Sequence, residues 1–450
     1  MQHTAGVGRE SLMPMLIIGG GLLFTAFFVT TSIGSDGYVS NEIAGGLKIA
    51  PLLFLLSLPV LARQARRENE SKVLALFVGA LSLKLVGAAV RYFFVFDVYE
   101  GVSDVGRYHT AGAVIANGFR QGHFDTGLDS ISGSFFIELF TGVVYTFTGP
   151  TMLGGFLIYA WLSFWGVFYF YKAFLVAVPE GDKKTYRRLV FLLPSLLFWP
   201  SSIGKDALMV LALGLASYGI AKSLRSKMRA GLLPMLLGMW LGAMIRPHVV
   251  AILVVGIVAA YLLRRPEQHL RQLGPVVKFA TVGLAFAVAL VVAVQADGFL
   301  NDYGYDTDEG IIAAVSENTE RTTKGGSEFD APSVFESPVN APLALVTVLF
   351  RPLPFEAEDL SQVAAGVEGL LLLGLVLWRL PWIWSAMKRI RNFPYASVSV
   401  VYCALFVAAI STLGNFGILA RERVMLFPFL FVLMCVPLID RKREDVRTSA

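Results

Sequence analysis

Charge is scarce in this chain. Only 16% of its 450 residues are Asp, Glu, Lys or Arg, while 55% are hydrophobic and the mean hydropathy is +0.64. A soluble chain of this length carries more charge and does not string together so many apolar stretches of spanning length. Cysteine is nearly absent: Cys403 and Cys435 both lie in apolar runs, which excludes a disulfide framework and a thiolate metal site. There is no HExxH and no CxxC, so no metal is expected. There is neither a GxxxxGK[ST] loop nor a GxGxxG turn, which argues against ATP hydrolysis and soluble nucleotide sugars; no cofactor is expected. Apolar runs are continuous and do not alternate, which disfavours an outer-membrane barrel. The formal charge of +5 is not concentrated on a soluble domain, so nucleic acid is not a partner. Arg9 alone precedes the first apolar run, and 14–33 reads as a retained helix, not a cleaved signal.

What remains is an all-α, polytopic transmembrane bundle. Twelve spans are expected, at 14–33, 47–62, 73–95, 152–171, 188–202, 204–222, 231–246, 248–263, 276–296, 361–378, 395–412 and 424–438. Residues 1–72 form an N-terminal two-span segment. Residues 73–450 form the core, with large loops at 97–130 and 297–340. Lys and Arg sort with this layout. Segments 63–72, 172–188, 222–229, 264–278, 379–391 and 441–447 hold four or five each and fall on one side, whereas loop 297–340 has ten acidic residues against Arg321 and Lys324. By the positive-inside rule the basic side is cytoplasmic and both termini face it, in a cell (inner or plasma) membrane. Two further apolar stretches, 131–148 and 341–354, break the parity and are expected to be interfacial or re-entrant on the outer face.

A charge at membrane depth costs about 3 kcal/mol on insertion scales, so charged residues outside the basic segments mark a cavity, a partner or a substrate. Asp104 lies in the first outer loop, in Ser103-Asp104-Val105-Gly106-Arg107-Tyr108-His109, with Tyr108 and His109 one helical turn beyond, where they could orient it as a general base. Lys205 follows Trp199-Pro200-Ser201-Ser202-Ile203-Gly204 at the start of a helix, a place that attracts anions; pairing with Asp206 is the plainer alternative. Arg246-Pro247-His248 interrupts an apolar run where proline forces a turn, and the arginine there either holds phosphate oxygens or snorkels. Arg351 follows the apolar stretch 341–350, is separated from Glu356 by a segment that Pro352 and Pro354 hold extended, and suits either an internal ion pair or a ligand contact. Arg421 and Arg423 flank Glu422, so that one guanidinium could face substrate while Glu422 orients the other. Lys84, near the middle of a span, is expected to meet an internal carboxylate, carbonyl or water pocket.

A general base beside scattered cations fits attack of an acceptor hydroxyl on an anomeric carbon with departure of a lipid phosphate. Asp104 with Tyr108-His109 and Ala111 resembles the first-outer-loop acidic motif of GT-C-type membrane glycosyltransferases, including mannosyltransferases that use polyprenyl-phosphate sugars. Leu193-Pro194-Ser195, Phe198-Trp199-Pro200-Ser201-Ser202, Gly204-Lys205-Asp206, Arg246-Pro247-His248 and Arg351-Pro352-Leu353-Pro354-Phe355-Glu356 look like stretches of bacterial surface-polysaccharide membrane proteins. The layout is similar to that of O-antigen and exopolysaccharide polymerases. The resemblance covers roughly residues 75–430, with two additional N-terminal spans and no large outer C-terminal domain. It implies a GT-C-like fold and Asp104, with Tyr108 and His109, as the catalytic group. Arg246, Arg421 and Arg423 become lipid-phosphate contacts, beside Lys205, His248, Arg351 and Glu356 as further substrate-binding residues. The implied partners are a polyprenyl-linked donor, a glycan or lipid acceptor, membrane lipids and envelope-assembly proteins. A transporter or flippase of a lipid-linked or anionic solute is the alternative class, and a non-catalytic assembly scaffold a third.

Overall fold

The computed structural model describes residues 38–98, 103–225, 229–263, 328–335, 337–357 and 360–438. The expected spans 14–33 and 276–296, the basic segments 264–278 and 441–447, and most of loop 297–340 lie outside the described residues. Among the described residues all regular elements are helical; the single strand-like pairing is a bridge between Glu328 and Asn415. Among the described residues, five helical stretches are long and apolar enough to cross a membrane: Lys48–Glu68, Lys72–Phe96, Met152–Ala177, Lys205–Arg225 and Ser361–Trp378.

The helices group into two compact units. The first comprises described residues up to Val167 together with Phe191–Leu211. It contains α1 (Tyr38–Glu68), α2 (Ser71–Phe93), α3 (Asp104–Arg120), α4 (Gly133–Thr148), most of α5 (Met152–Ala177), α7 (Pro194–Phe198) and the start of α8 (Lys205–Arg225). Where the sequence predicts one span over 188–202, the chain instead forms α6 (Lys183–Leu192) and the five-residue α7, because Pro194 supplies no amide to continue the first helix. So short a helix leaves most of its carbonyls without helical partners. Lys84 of α2 fills that need, its Nζ donating to the Leu196 carbonyl at 2.6 Å. Close approach is allowed by Gly87, where a Cβ would lie 2.7 Å from the Leu197 oxygen. The mid-span lysine therefore caps a broken helix.

The stretch read as a polar loop from 97 to 130 contains a full helix, α3. Its buried positions Val105, Tyr108, Gly112, Ile115 and Ala116 recur every three or four residues and face α4. The two helices touch backbone to backbone: a Cβ on Gly112 would meet the Thr141 methyl at 2.6 Å, and one on Gly142 the Ile115 side chain at 2.5 Å. The expected interfacial segment 131–148 is the other half of this pair.

The second unit comprises Phe168–Val190 and the described residues from Ala212 onward. Besides the ends of α5 and α8 and most of α6, it holds α9 (Arg229–Ile245), α10 (Pro247–Leu263), α11 (Ala341–Phe350), α12 (Leu360–Trp378), α13 (Leu380–Lys388), α14 (Pro394–Ile410), α15 (Phe416–Glu422) and α16 (Phe427–Cys435). The expected break at Arg246-Pro247 is present: α9 ends at Ile245, and Pro247 opens α10, where its fixed φ and missing amide cost nothing. α10 packs on α14, which packs in turn on α16. The predicted span 424–438 is shorter than expected, since a single tight turn over Arg423–Met425 precedes the nine-residue α16. Every residue of α16 is buried, which makes it the centre of this unit and not a lipid-facing span.

Candidate functional site

In the first unit the α3–α4 pair carries the residues singled out around Asp104. Asp104 is the first residue of α3 and is exposed, where its negative charge is favoured by the helix dipole. Tyr108 is buried and donates to Ser134 Oγ at 3.3 Å, and His109 Nδ1 meets the Tyr145 hydroxyl at 2.7 Å. Both contacts hold the rings to α4. The sequence-based expectation placed Tyr108 and His109 as orienters of Asp104; the structure gives each of them a partner on the neighbouring helix.

A residue that sequence reasoning passed over is Glu138, buried on α4. Arg107 Nε donates to its Oε1 at 2.7 Å, and the guanidinium also lies 5.5 Å from the Tyr108 ring centre. Partial burial draws the Arg107 guanidinium down, but the hydrogen bond and charge of Glu138, followed by Tyr108 and Asp104, outweigh it and raise its pKa. Arg107 is thus held between a buried acid and an exposed one, with about half of its side chain open to its surroundings. The signal for it in the sequence is an acid inside the apolar run Phe135-Phe136-Ile137-Glu138-Leu139-Phe140, where a charge needs a partner. Lys205 opens α8, as the Gly204 turn suggests, with Asp206 buried beside it in the first turn.

In the second unit, four arginines far apart in sequence form one linked group. Arg246 Nη1 meets Glu422 Oε2 at 2.5 Å and approaches Met425 Sδ at 3.6 Å. The other Glu422 oxygen lies 3.9 Å from Arg421 Nη2. Next along the turn, Arg423 has no exposed surface and donates from Nη1 to the Arg351 carbonyl at 2.6 Å. Arg351 in turn grips Glu356, Nε to Oε1 at 2.9 Å and Nη2 to Oε1 at 2.8 Å, while the Leu353 amide donates to Glu356 Oε2 at 2.7 Å. Partial burial would raise the Glu356 carboxyl; the Arg351 hydrogen bonds, the Leu353 amide and the Arg351 charge overcome this and hold it below its usual range.

Two aromatic rings complete the group. Phe329 and Phe416 stack at 4.2 Å with an interplanar angle of 10°, and the Arg351 guanidinium carbon lies 4.9 Å and 5.1 Å from their centres. The rings are brought together by the Phe329 amide donating to the Gly414 carbonyl, and α15 is started by the Asn415 side chain accepting from the Ile418 amide. Neither phenylalanine was picked out from sequence, because a ring pair 87 positions apart has no local pattern.

The geometry separates roles that the sequence left equal. Arg423 is a fully buried brace. Arg246 is almost as buried and neutralised by Glu422. Arg351 is spent on Glu356 and the rings. Arg421, with more than a third of its side chain exposed and its Nη2 3.9 Å from Glu422, has the most open side chain of the four arginines. His248, in the first turn of α10, is exposed. No group of three or more His, Cys, Asp or Glu gathers as a metal-binding set among the described residues. The triplet Asp306-Thr307-Asp308, a spacing able to ligate a divalent cation, lies outside them.

Compared with protein-family models, with curated proteins and with solved structures, the chain matches none.

Proposed function

We propose that the protein is a membrane glycosyltransferase or polysaccharide polymerase that takes sugar from a polyprenyl-phosphate or diphosphate donor, on the extracytoplasmic face of a GT-C-like bundle of about twelve spans. The observation that carries this reading is the linked arginine group of the second unit. Arg246, Arg351, Arg421 and Arg423 stand against the carboxylates Glu356 and Glu422, and of the four Arg421 has the most exposed side chain. Such an arrangement is suited to a lipid-linked phosphate, because Arg presents a planar fork and its neighbours are already fixed.

In such a reaction the acceptor hydroxyl loses its proton to a general base as its oxygen bonds to the anomeric carbon. The bond from that carbon to the phosphate oxygen breaks, and the phosphate leaves with the electron pair. The roles of base and phosphate contact come from the resemblance of the Asp104 and arginine motifs; what favours them here is the exposure of Asp104 and Arg421.

The transporter alternative leans on ionisable groups at the membrane midplane. Lys84, near the middle of a span, donates to the Leu196 carbonyl and so has a structural task. Substitution of Asp104 by Asn separates the two. With membrane abundance unchanged, loss of glycan elongation supports the transferase; full-length glycan at normal yield removes Asp104 from the mechanism.

A further inference from the structure

The surface of α13 is inverted relative to a helix in water. Its exposed residues are Leu380, Pro381, Trp384, Met387 and Lys388, continued past its end by Arg391. The spacing i, i+1, i+4, i+7, i+8, i+11 is one helical stripe. The opposite stripe turns Ser385, Ala386 and Arg389 toward the protein: Ser385 Oγ donates to the Pro437 carbonyl at 2.8 Å, and Arg389 donates to Ser385 Oγ and to that same carbonyl. Polar groups thus face inward and large apolar ones outward. Trp378 and Trp384 are 64% and 62% exposed. A helix that buries its serine and displays Trp384, next to the exposed Trp378 that ends α12, has its outer side in lipid.

The charges at its end decide what kind of lipid. Arg379 is already committed, donating to Asp182 and Thr185 at 2.9 Å each and lying against Trp378 and Trp382. Lys388 and Arg391 are exposed, and among the described residues neither pairs with a carboxylate. The sequence has no Asp or Glu between Glu368 and Glu422 to neutralise them. The Lys388 ammonium is held 5.3 Å from the Trp384 ring centre, so cation and interfacial ring are presented together. Tryptophan favours the headgroup level of a bilayer, and lysine and arginine next to it favour anionic phosphate.

We propose that the face formed by Trp378, Leu380, Trp384, Met387, Lys388 and Arg391 binds anionic phospholipid headgroups. The rings and aliphatic groups lie at the acyl boundary, and the two cations take phosphate oxygens. The surface is independent of the glycosyl-transfer reading, and its test needs no activity.

The full-length protein is reconstituted in bilayers of equal phosphatidylglycerol and phosphatidylcholine, and the lipids it retains are weighed by native mass spectrometry. Retained phosphatidylglycerol is expected to exceed phosphatidylcholine. Lys388→Gln with Arg391→Gln should lower that preference at least about fivefold, the factor of one lysine or arginine near an anionic surface. In the unaltered protein, brominated phosphatidylglycerol should quench tryptophan fluorescence more than brominated phosphatidylcholine, and Trp378→Phe with Trp384→Phe should remove the difference. Equal quenching by the two lipids, or an unchanged lipid ratio in the double variant, overturns the proposal. So does a doubled particle mass that Trp384→Ser returns to the monomer, which would make the face a contact between copies.

Discussion

Arg246 and Glu422, 176 positions apart, meet at 2.5 Å with side chains only 9% and 14% exposed. One residue lies between the end of a helix and a proline that opens the next, and the other closes a seven-residue helix, so their pairing joins two breaks in the chain. A buried pair contributes little net stability over apolar residues of equal size, yet breaking it leaves one uncompensated charge.

That asymmetry gives a first expectation. Glu422→Ala strands Arg246 and should destabilise the protein by about 3–5 kcal/mol. Arg246→Met combined with Glu422→Leu should recover most of the loss. Thermal unfolding in detergent measures both. A double variant as unstable as the single one would show that the pair does more than neutralise charge.

Arg421→Lys keeps the positive charge and discards the fork. Because this side chain is the most open of the linked arginines, abundance and unfolding temperature should not change. Transfer from a polyprenyl-linked donor should fall roughly tenfold, the scale of one lost charge-assisted hydrogen bond. Arg423→Lys should behave in the opposite way, losing stability first, since Arg423 is wholly enclosed and braces the Arg351 carbonyl. Steady-state assays beside unfolding curves distinguish the two patterns.

The acid limb of stability should contain a contribution from Glu356. Its carboxyl is held below its ordinary value, so the stabilisation is fully present above the unfolded glutamate pKa of about 4.3. It is lost as pH falls below that value and through the lowered one. Glu356→Gln should flatten that part of the unfolding profile while leaving the profile above about pH 6 parallel to the original. An unchanged acid limb would mean that Arg351 gains nothing from the ionised form.

Gly112 is required by contact and not by backbone conformation. Gly112→Val places a branched side chain against Thr141 on α4 and should cost about 1–3 kcal/mol through overpacking. Gly79→Val, in α2, has open space within 4 Å and serves as the tolerated comparison. Equal unfolding temperatures for the two variants would contradict the close packing of α3 on α4.

Several elements were legible before any coordinates. Long apolar runs announced the helices at 38–68, 71–93, 152–177, 205–225 and 360–378, because a spanning helix must bury or expose to lipid nearly every side chain. The breaks at Pro247 and at the Gly204 turn were also readable, since proline and glycine act locally. Less legible was α3, whose apolar stripe is thin and whose remaining positions are polar; its helix is stabilised mainly by packing on α4. The break at Pro194 was missed in favour of a continuous span, as hydropathy averages across a proline without registering the lost amide.

The site followed the same division. Each cation was conspicuous by itself, because a charge beside apolar sequence is costly. Its task was not. Lys84 turned out to cap a helix, Arg423 to brace a loop and Arg246 to neutralise an acid, and Glu138 emerged as the partner of Arg107.

Composition and hydropathy alone therefore determined that this is a helical chain with segments able to cross a membrane, and which side chains must find partners there. Only the tertiary structure decided who those partners are. Desolvation depends on the residue and is written in the sequence, whereas the compensating hydrogen bond depends on distances of a few ångströms between atoms 31 to 176 positions apart.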